Sequence, residues 1–272
     1  MPLSANSFAL VQNENNLKLP VTIQAFIAEA GDLAYFSARF FRELRPHQME
    51  WAEWMNQSFR IGNLTLPLVA ITGFIMGLVI TIQSYPSMAA FGAESWLPSV
   101  VSVSLVREIV PVITALICAG KIGSGIGAEL GSMKVTEQID AMEVSGTNPY
   151  NYLVVTRVLA TTLMVPMLVV ISDAIALYGA FLGVNMKQDV SFSLYTHQIF
   201  QKLTFNDVLP SITKSFFFGF AIGAIGCYKG FITRNGTQGV GVSANSAVVL
   251  STFVVFLIDL VAAQLSDIFS IT

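Results

Sequence analysis

Five ionisable side chains stand inside stretches that are otherwise apolar: Arg107, Glu108, Asp173, Lys214 and Asp259. A charge in hydrocarbon costs on the order of a few kcal/mol on insertion scales, so each must face a bundle interior, water or an opposite charge. Arg107 and Glu108 are adjacent and project about 100° apart on a helix, so they cannot simply pair face to face and each needs its own partner. Lys214 and Asp259, on consecutive apolar stretches, can form one such pair. Two roles fit these residues. They form a polar patch in a transport cavity, which suits Arg107 and Glu108, or they are buried ion pairs that fix helix register. Lys214 and Asp259 fit either role, and Asp173 fits the structural one better.

A second charged constellation is different in kind. Residues 123–149 are the longest charge-bearing segment between two strongly apolar ones. From Ser132 to Val144 the spacing predicts a short helix, with Val135, Ile139 and Met142 on one face and Glu137, Asp140 and Glu143 on another. The run Ser145-Gly146-Thr147-Asn148-Pro149 stops it, because Gly and Asn tolerate C-cap geometry and Pro cannot continue a helix. Such a helix between two membrane spans is a solvated loop or a peg that fits into something else.

Motifs for catalysis are missing. Gly120-Lys121 is followed by Ile122, and Ala115 stands where the first Walker glycine belongs, so this is not a P-loop. His47 and His197 stand alone, without ligands at metal spacing. Cys118 and Cys227 are far apart in apolar context and read as small buried hydrophobes. The expectation is a chain that is no enzyme and holds no metal or cofactor of its own. A transporter built on it needs an ion gradient or an ATPase partner.

The elements that must position these residues follow from composition. The chain is 54% hydrophobic and 11% charged, against about 25% charged for soluble domains. The fold class is therefore an all-α polytopic membrane protein. A net charge of -3 gives no reason to expect a nucleic-acid partner. Residues 1–20 are polar, with no signal-peptide h-region, and read as a disordered tail. Residues 21–60 interleave apolar and basic positions, with Trp51, Trp54 and Phe59 following, which predicts an amphipathic segment in the headgroup plane. Residues 61–272 form a five-span domain, with spans at about 64–85, 97–122, 153–186, 208–228 and 246–267.

Orientation follows from basic residues. With the N-terminus inside, one side holds Lys18, Arg39, Arg42, Arg45, Arg60, Lys121, Lys134, Arg157, Lys229 and Arg234, and the other only Lys187 and Lys202. The acidic peg then faces the cytoplasm and the C-terminus faces outward. Small-xxx-small rows at Gly73/Gly77, Gly123/Gly127/Gly131, Gly179/Gly183 and Gly219/Gly223 imply close helix packing. Five spans make a small bundle for a transport path, which favours a homodimer.

Three stretches carry a family resemblance. L-V-R-E-I-V-P-V at 105–112, A-G-K-I-G-S-G-I-G-A-E-L-G-S-M-K-V-T-E-Q-I-D-A-M-E at 119–143 and N-P-Y-N-Y-L-V-V-T-R-V-L-A at 148–160 resemble the MlaE family. These are permease subunits of ABC transporters that work with MCE-domain proteins in lipid trafficking. Matches continue at 92–97, 214–219 and 239–249, and Thr156 departs from the proline usual before Arg157. The resemblance implies an N-terminal interfacial elbow helix, five transmembrane helices and a cytoplasmic coupling helix at about 132–144, in a homodimer in the inner membrane with a periplasmic C-terminus. It implies a cytoplasmic ATPase dimer that carries ATP and Mg, an MCE protein on the outer side, and phospholipid as cargo in an apolar cavity lined by spans one, two and five. Glu137, Gln138, Asp140 and Glu143 would be the coupling positions, with Val135, Ile139 and Met142 supplying anchoring area. Arg107, Glu108, Lys214 and Asp259 match charged family positions in the membrane, and Asp207 one at the outer edge of span four. Two rivals remain at this point. One is a gradient-driven secondary transporter with Asp173, Asp259 and Glu108 as proton relays, and the other a non-transporting membrane anchor for an MCE protein.

Overall fold

The structure, a computed structural model, describes residues 21–44, 50–234 and 236–270. The tail expected over residues 1–20 lies outside them. The described residues form helices and no strand, in the order α1 (Val21–Glu43), α2 (Trp51–Ala90), α3 (Glu94–Val135), α4 (Gln138–Val144), α5 (Tyr150–Asn185), α6 (Phe192–Lys202), α7 (Phe205–Phe231) and α8 (Gly236–Ser270). Five of them, α2, α3, α5, α7 and α8, are long and apolar enough to cross a bilayer. Helices are the natural state for such sequences, because hydrocarbon offers no partner for a free backbone N–H or C=O.

The helices outrun the apolar windows. α2 has 40 residues, about 60 Å of rise against a hydrocarbon core of about 30 Å. Trp51–Arg60, read from sequence as part of the interfacial segment, is instead the first three turns of the span-one helix. Nothing there breaks a helix. Gln57 Nε2 donates to Glu53 Oε1 at 2.7 Å, one turn back. α3 likewise runs on to Val135, well past the expected end of span two at 122, so hydropathy marks the buried window and not the hydrogen-bonded element.

α5 is the hub, with 61% of its apolar window buried, against 17% for α8. α2 lies on one side of it through glycine. A β-carbon at Gly77 would overlap the Ala176 carbonyl, and Gly179 meets the Phe74 backbone from the other direction. α7 packs on it nearer its N-terminal end, where Gly219 approaches Thr161 and Thr162. α3 and α8 close the bundle, and α8 leaves Val242, Val249, Phe253 and Phe256 exposed.

One end of the bundle carries α1 and α4, the other α6. Tyr150 Oη donates to the Phe36 carbonyl at 2.6 Å, Asn148 Nδ2 to Glu43 at 3.2 Å, and Lys229 forms an ion pair with Glu29, so α1 is strapped across that end. Arg39 sits 4.4 Å above the Tyr150 ring. At the far end Ser191 caps α6, accepting from Leu194 N, and buried Tyr195 donates to the Leu177 carbonyl at 2.9 Å.

The expected single helix over Ser132–Val144 is two. α3 ends at Val135, Thr136 and Glu137 break it, and α4 starts at Gln138. Glu137 has φ 58°, the left-handed region that non-glycine residues avoid. That residue turns the chain so that Ile139 tucks under the bundle, 3% exposed, with Met133 and Met142 packed into the same core. Lys134 Nζ lies 2.7 Å from Asp140 Oδ1 and bridges the break.

Candidate functional site

The membrane charges converge from three helices. α3 makes a π turn over Leu105–Ile109, and that turn holds both Arg107 and Glu108. π turns cost hydrogen-bond geometry and recur at functional positions. Here the turn lets neighbouring residues serve one cluster. Glu108 Oε2 lies 2.5 Å from Lys214 Nζ on α7, and Lys214 Nζ is also 2.8 Å from Asp259 Oδ1 on α8. Arg107 lies 3.9 Å from Asp207 Oδ1 and 3.4 Å from Ser266 Oγ. Its Nε is also 3.9 Å from Glu108 Oε1, so the expectation that these neighbours cannot meet is corrected: flexible side chains close the gap that the backbone angle opens.

Lys214 is the centre of this cluster. Its side chain is 4% exposed, while those of Glu108 and Asp259 are 41% and 22% exposed. The lysine is thus sealed among helices, and the carboxylates reach toward an open face. Such an arrangement can hold three spans in register and present charge to a polar group entering from that face. Asp207 is fixed from behind. Its carboxylate accepts from Thr204 N at 3.0 Å and Thr204 Oγ1 at 2.7 Å, the capping box of α7. The pattern Thr204-x-x-Asp207 is visible in the sequence, whereas nothing there pointed to Ser266. Asp173 stays outside the cluster, and its Oδ1 is buried without a hydrogen-bond partner among the described residues.

A second ion network was not foreseen. Glu129 on α3 lies 2.9 Å from Arg157 on α5 and 3.5 Å from Arg60 on α2. Arg157, counted from sequence as a loop charge, is 2% exposed. It also donates to the Leu153 carbonyl at 3.1 Å.

The α4 peg differs from its sequence reading. Glu137, Gln138 and Glu143 are exposed, and neither Glu137 nor Glu143 has an ion-pair partner among the described residues. Asp140 is engaged by Lys134. Ile139 is in the core, with Val135 and Met142 half-buried, so these apolar residues anchor the peg to its own bundle and offer little to a partner. The exposed apolar side chain is Val144, at 91%. The break at Glu137 inverted the faces.

Where α2 meets α3 and α5 a small void lies beside Val69, Gly73, Val110 and Ser172. A recess of about 390 Å³ lies elsewhere, between Leu44, Trp51, Trp54, Leu159, Leu163 and Phe216.

Five helices long and apolar enough to cross a bilayer, a polar cluster between three of them and a short acidic peg at one end are the architecture of a multi-pass membrane protein. The family model for the permease MlaE matches residues 54–265. The chain is 40% identical over 240 residues to a probable ABC transporter permease protein of Rickettsia typhi, covering 88% of this chain and 93% of that one. It is 33% identical over 223 residues to a probable ABC transporter permease protein of Synechocystis, covering 82% and 85%. It is 32% identical over 217 residues to the chloroplastic protein TRIGALACTOSYLDIACYLGLYCEROL 1 of Arabidopsis thaliana, covering 80% and 62%. The chain belongs to the MlaE permease family and is a transport subunit.

Proposed function

We propose that this permease moves phospholipid, as a homodimer in the inner membrane, between the bilayer and an MCE-domain protein on the outer side. A separate cytoplasmic ATPase dimer drives it by gripping α4, and that subunit carries the ATP and Mg. The N-terminus is cytoplasmic and the C-terminus periplasmic, in keeping with the basic residues at the α4 end. The observation that carries the reading is α4 itself. The peg is anchored to the bundle by Ile139, yet leaves Glu137, Gln138, Glu143 and Val144 facing out. A rigidly held projection with unpaired acids is what a force-transmitting contact to a basic groove requires. The glycerolipid in the Arabidopsis relative's name supports a lipid cargo.

The cluster of Arg107, Glu108, Lys214 and Asp259 then lies beside the cargo path, which two copies would close between their α3 and α8 faces. Closing of the ATPases would draw the two pegs together and narrow that path. The test is lipid transfer from proteoliposomes holding permease, ATPase and MCE protein. Glu137→Lys with Glu143→Lys should abolish ATP-dependent transfer while the protein still inserts, and undiminished transfer would sink the coupling assignment.

The buried, unpartnered Oδ1 of Asp173 favours a second reading, a gradient-driven carrier using Asp173, Glu108 and Asp259. Transfer that runs on ATP with no membrane potential excludes it. Absence of any ATP-dependent lipid release would instead mark a membrane anchor.

A further inference from the structure

Among the described residues, every lysine and arginine in the five spans except Lys121 has a carboxylate at its side. Arg60 and Arg157 share Glu129, Arg107 meets Asp207 and Glu108, and Lys214 meets Glu108 and Asp259. Lys134 has Asp140, and Lys229 has Glu29. The Lys121 side chain on α3 is exposed and has no hydrogen-bond, ion-pair or ring partner among the described residues.

Its depth makes this costly. Leu130 and Gly131 pack against Gly230 and Thr233, next to Lys229, whose pair with Glu29 marks the level at which α1 crosses the bundle. Lys121 stands nine residues farther along α3, about 13 Å from that level. A four-carbon stem cannot deliver the ammonium across that distance to the headgroup plane. Sequence counting placed Lys121 among the loop charges; its distance from the level of α1 places it deeper.

The surroundings give room and no counter-charge. β-carbons at Gly120 and Gly125 would meet nothing. Ser124 Oγ is engaged by the Gly120 carbonyl. Glu129 is held by two arginines, and the buried oxygen of Asp173 lies inside its own bundle. Glu108, Asp207 and Asp259 belong to the cluster toward the α6 end.

We propose that Lys121 is a phosphate-binding residue for the cargo. Its ammonium holds the phosphodiester of a glycerophospholipid drawn onto the open face of α3 and α8, with acyl chains along Val242, Val249, Phe253 and Phe256. The assignment rests on the lipid-permease reading and adds a headgroup contact separate from the charge cluster. Its logic is complementarity: a cation on an apolar face without a protein partner takes a charge-assisted bond to a phosphate oxygen.

The test is native mass spectrometry of the purified full-length protein in mild detergent, with no ATP or ATPase, titrated with dioleoyl phosphatidylglycerol or dioleoylglycerol. Wild type should bind the phospholipid about tenfold more tightly than the phosphate-free diacylglycerol. Lys121→Met should bring phospholipid binding down to the diacylglycerol level, and Lys121→Arg should keep it. Equal binding by wild type and Lys121→Met overturns the proposal. So does loss of the dimer in lipid-free Lys121→Met, which would make Lys121 a subunit contact. Because no coupling is needed, failure of ATP-driven transfer leaves this readout intact.

Discussion

Replacing Lys214 with Met tests whether the charge cluster holds the spans together. Met keeps most of the side-chain volume, so packing changes little, but Glu108 and Asp259 lose a cation that lay 2.5 and 2.8 Å away. Removing one partner of a buried pair costs about 3–5 kcal/mol, because the remaining charge is stranded. The 41% exposure of Glu108 admits screening and puts the cost near the lower edge, about 3 kcal/mol. For a chain of this size each kcal/mol moves Tm by roughly 2–4 °C, so unfolding in detergent should fall by roughly 6–12 °C. Adding Asp259→Asn removes one stranded carboxylate and should recover about a third of the loss, a coupling between contacting residues that independent sites do not show. A Lys214→Met variant that melts with wild type, or a double variant whose loss is the sum of the singles, would refute the reasoning.

Further outcomes follow from other contacts. Gly77→Val forces side-chain carbons into the Ala176 carbonyl, and overpacking of this kind should cost about 1–3 kcal/mol, read as a lower Tm. Glu137→Gly removes the left-handed strain at φ 58°, so thermal stability should hold or rise by up to about 1 kcal/mol, while ATP-dependent transfer falls if that carboxylate meets the ATPase. Burial pushes the Tyr195 phenol up to about 12, against a smaller lowering by Ser102. The unfolded chain therefore loses this proton first, and the stability Tyr195 contributes is complete below about pH 10 and lost as pH rises toward 12. Tyr195→Phe should remove that pH dependence and cost about 1 kcal/mol for the hydrogen bond to Leu177.

The membrane class and the existence of five spans were legible in the sequence, because a charge-free run such as 61–93 has few alternatives to a bilayer helix. The pairing of Lys214 with an acid on the next span could also be anticipated, since neither charge is tolerable alone. Helix ends were less legible. Trp51–Arg60 and Ile122–Val135 are polar enough to leave the apolar window but contain nothing to stop hydrogen bonding, so α2 and α3 run through them. The Glu137 break was invisible for the opposite reason: a glutamate is a good helix former, and only the packing of Ile139 into the core holds it in a left-handed conformation.

The sequence by itself determined where hydrocarbon can lie along the chain and which side chains it cannot tolerate unpaired, since both depend on residue type and local spacing. Only the tertiary structure decided which charges share a cluster, which face of the peg is free, and that Lys121 is left alone, because these depend on distances between helices that are far apart in the chain. A π turn that rotates Arg107 and Glu108 toward α7 and one left-handed residue that turns α4 over are small backbone events. Each is stabilised by contacts that no local pattern contains.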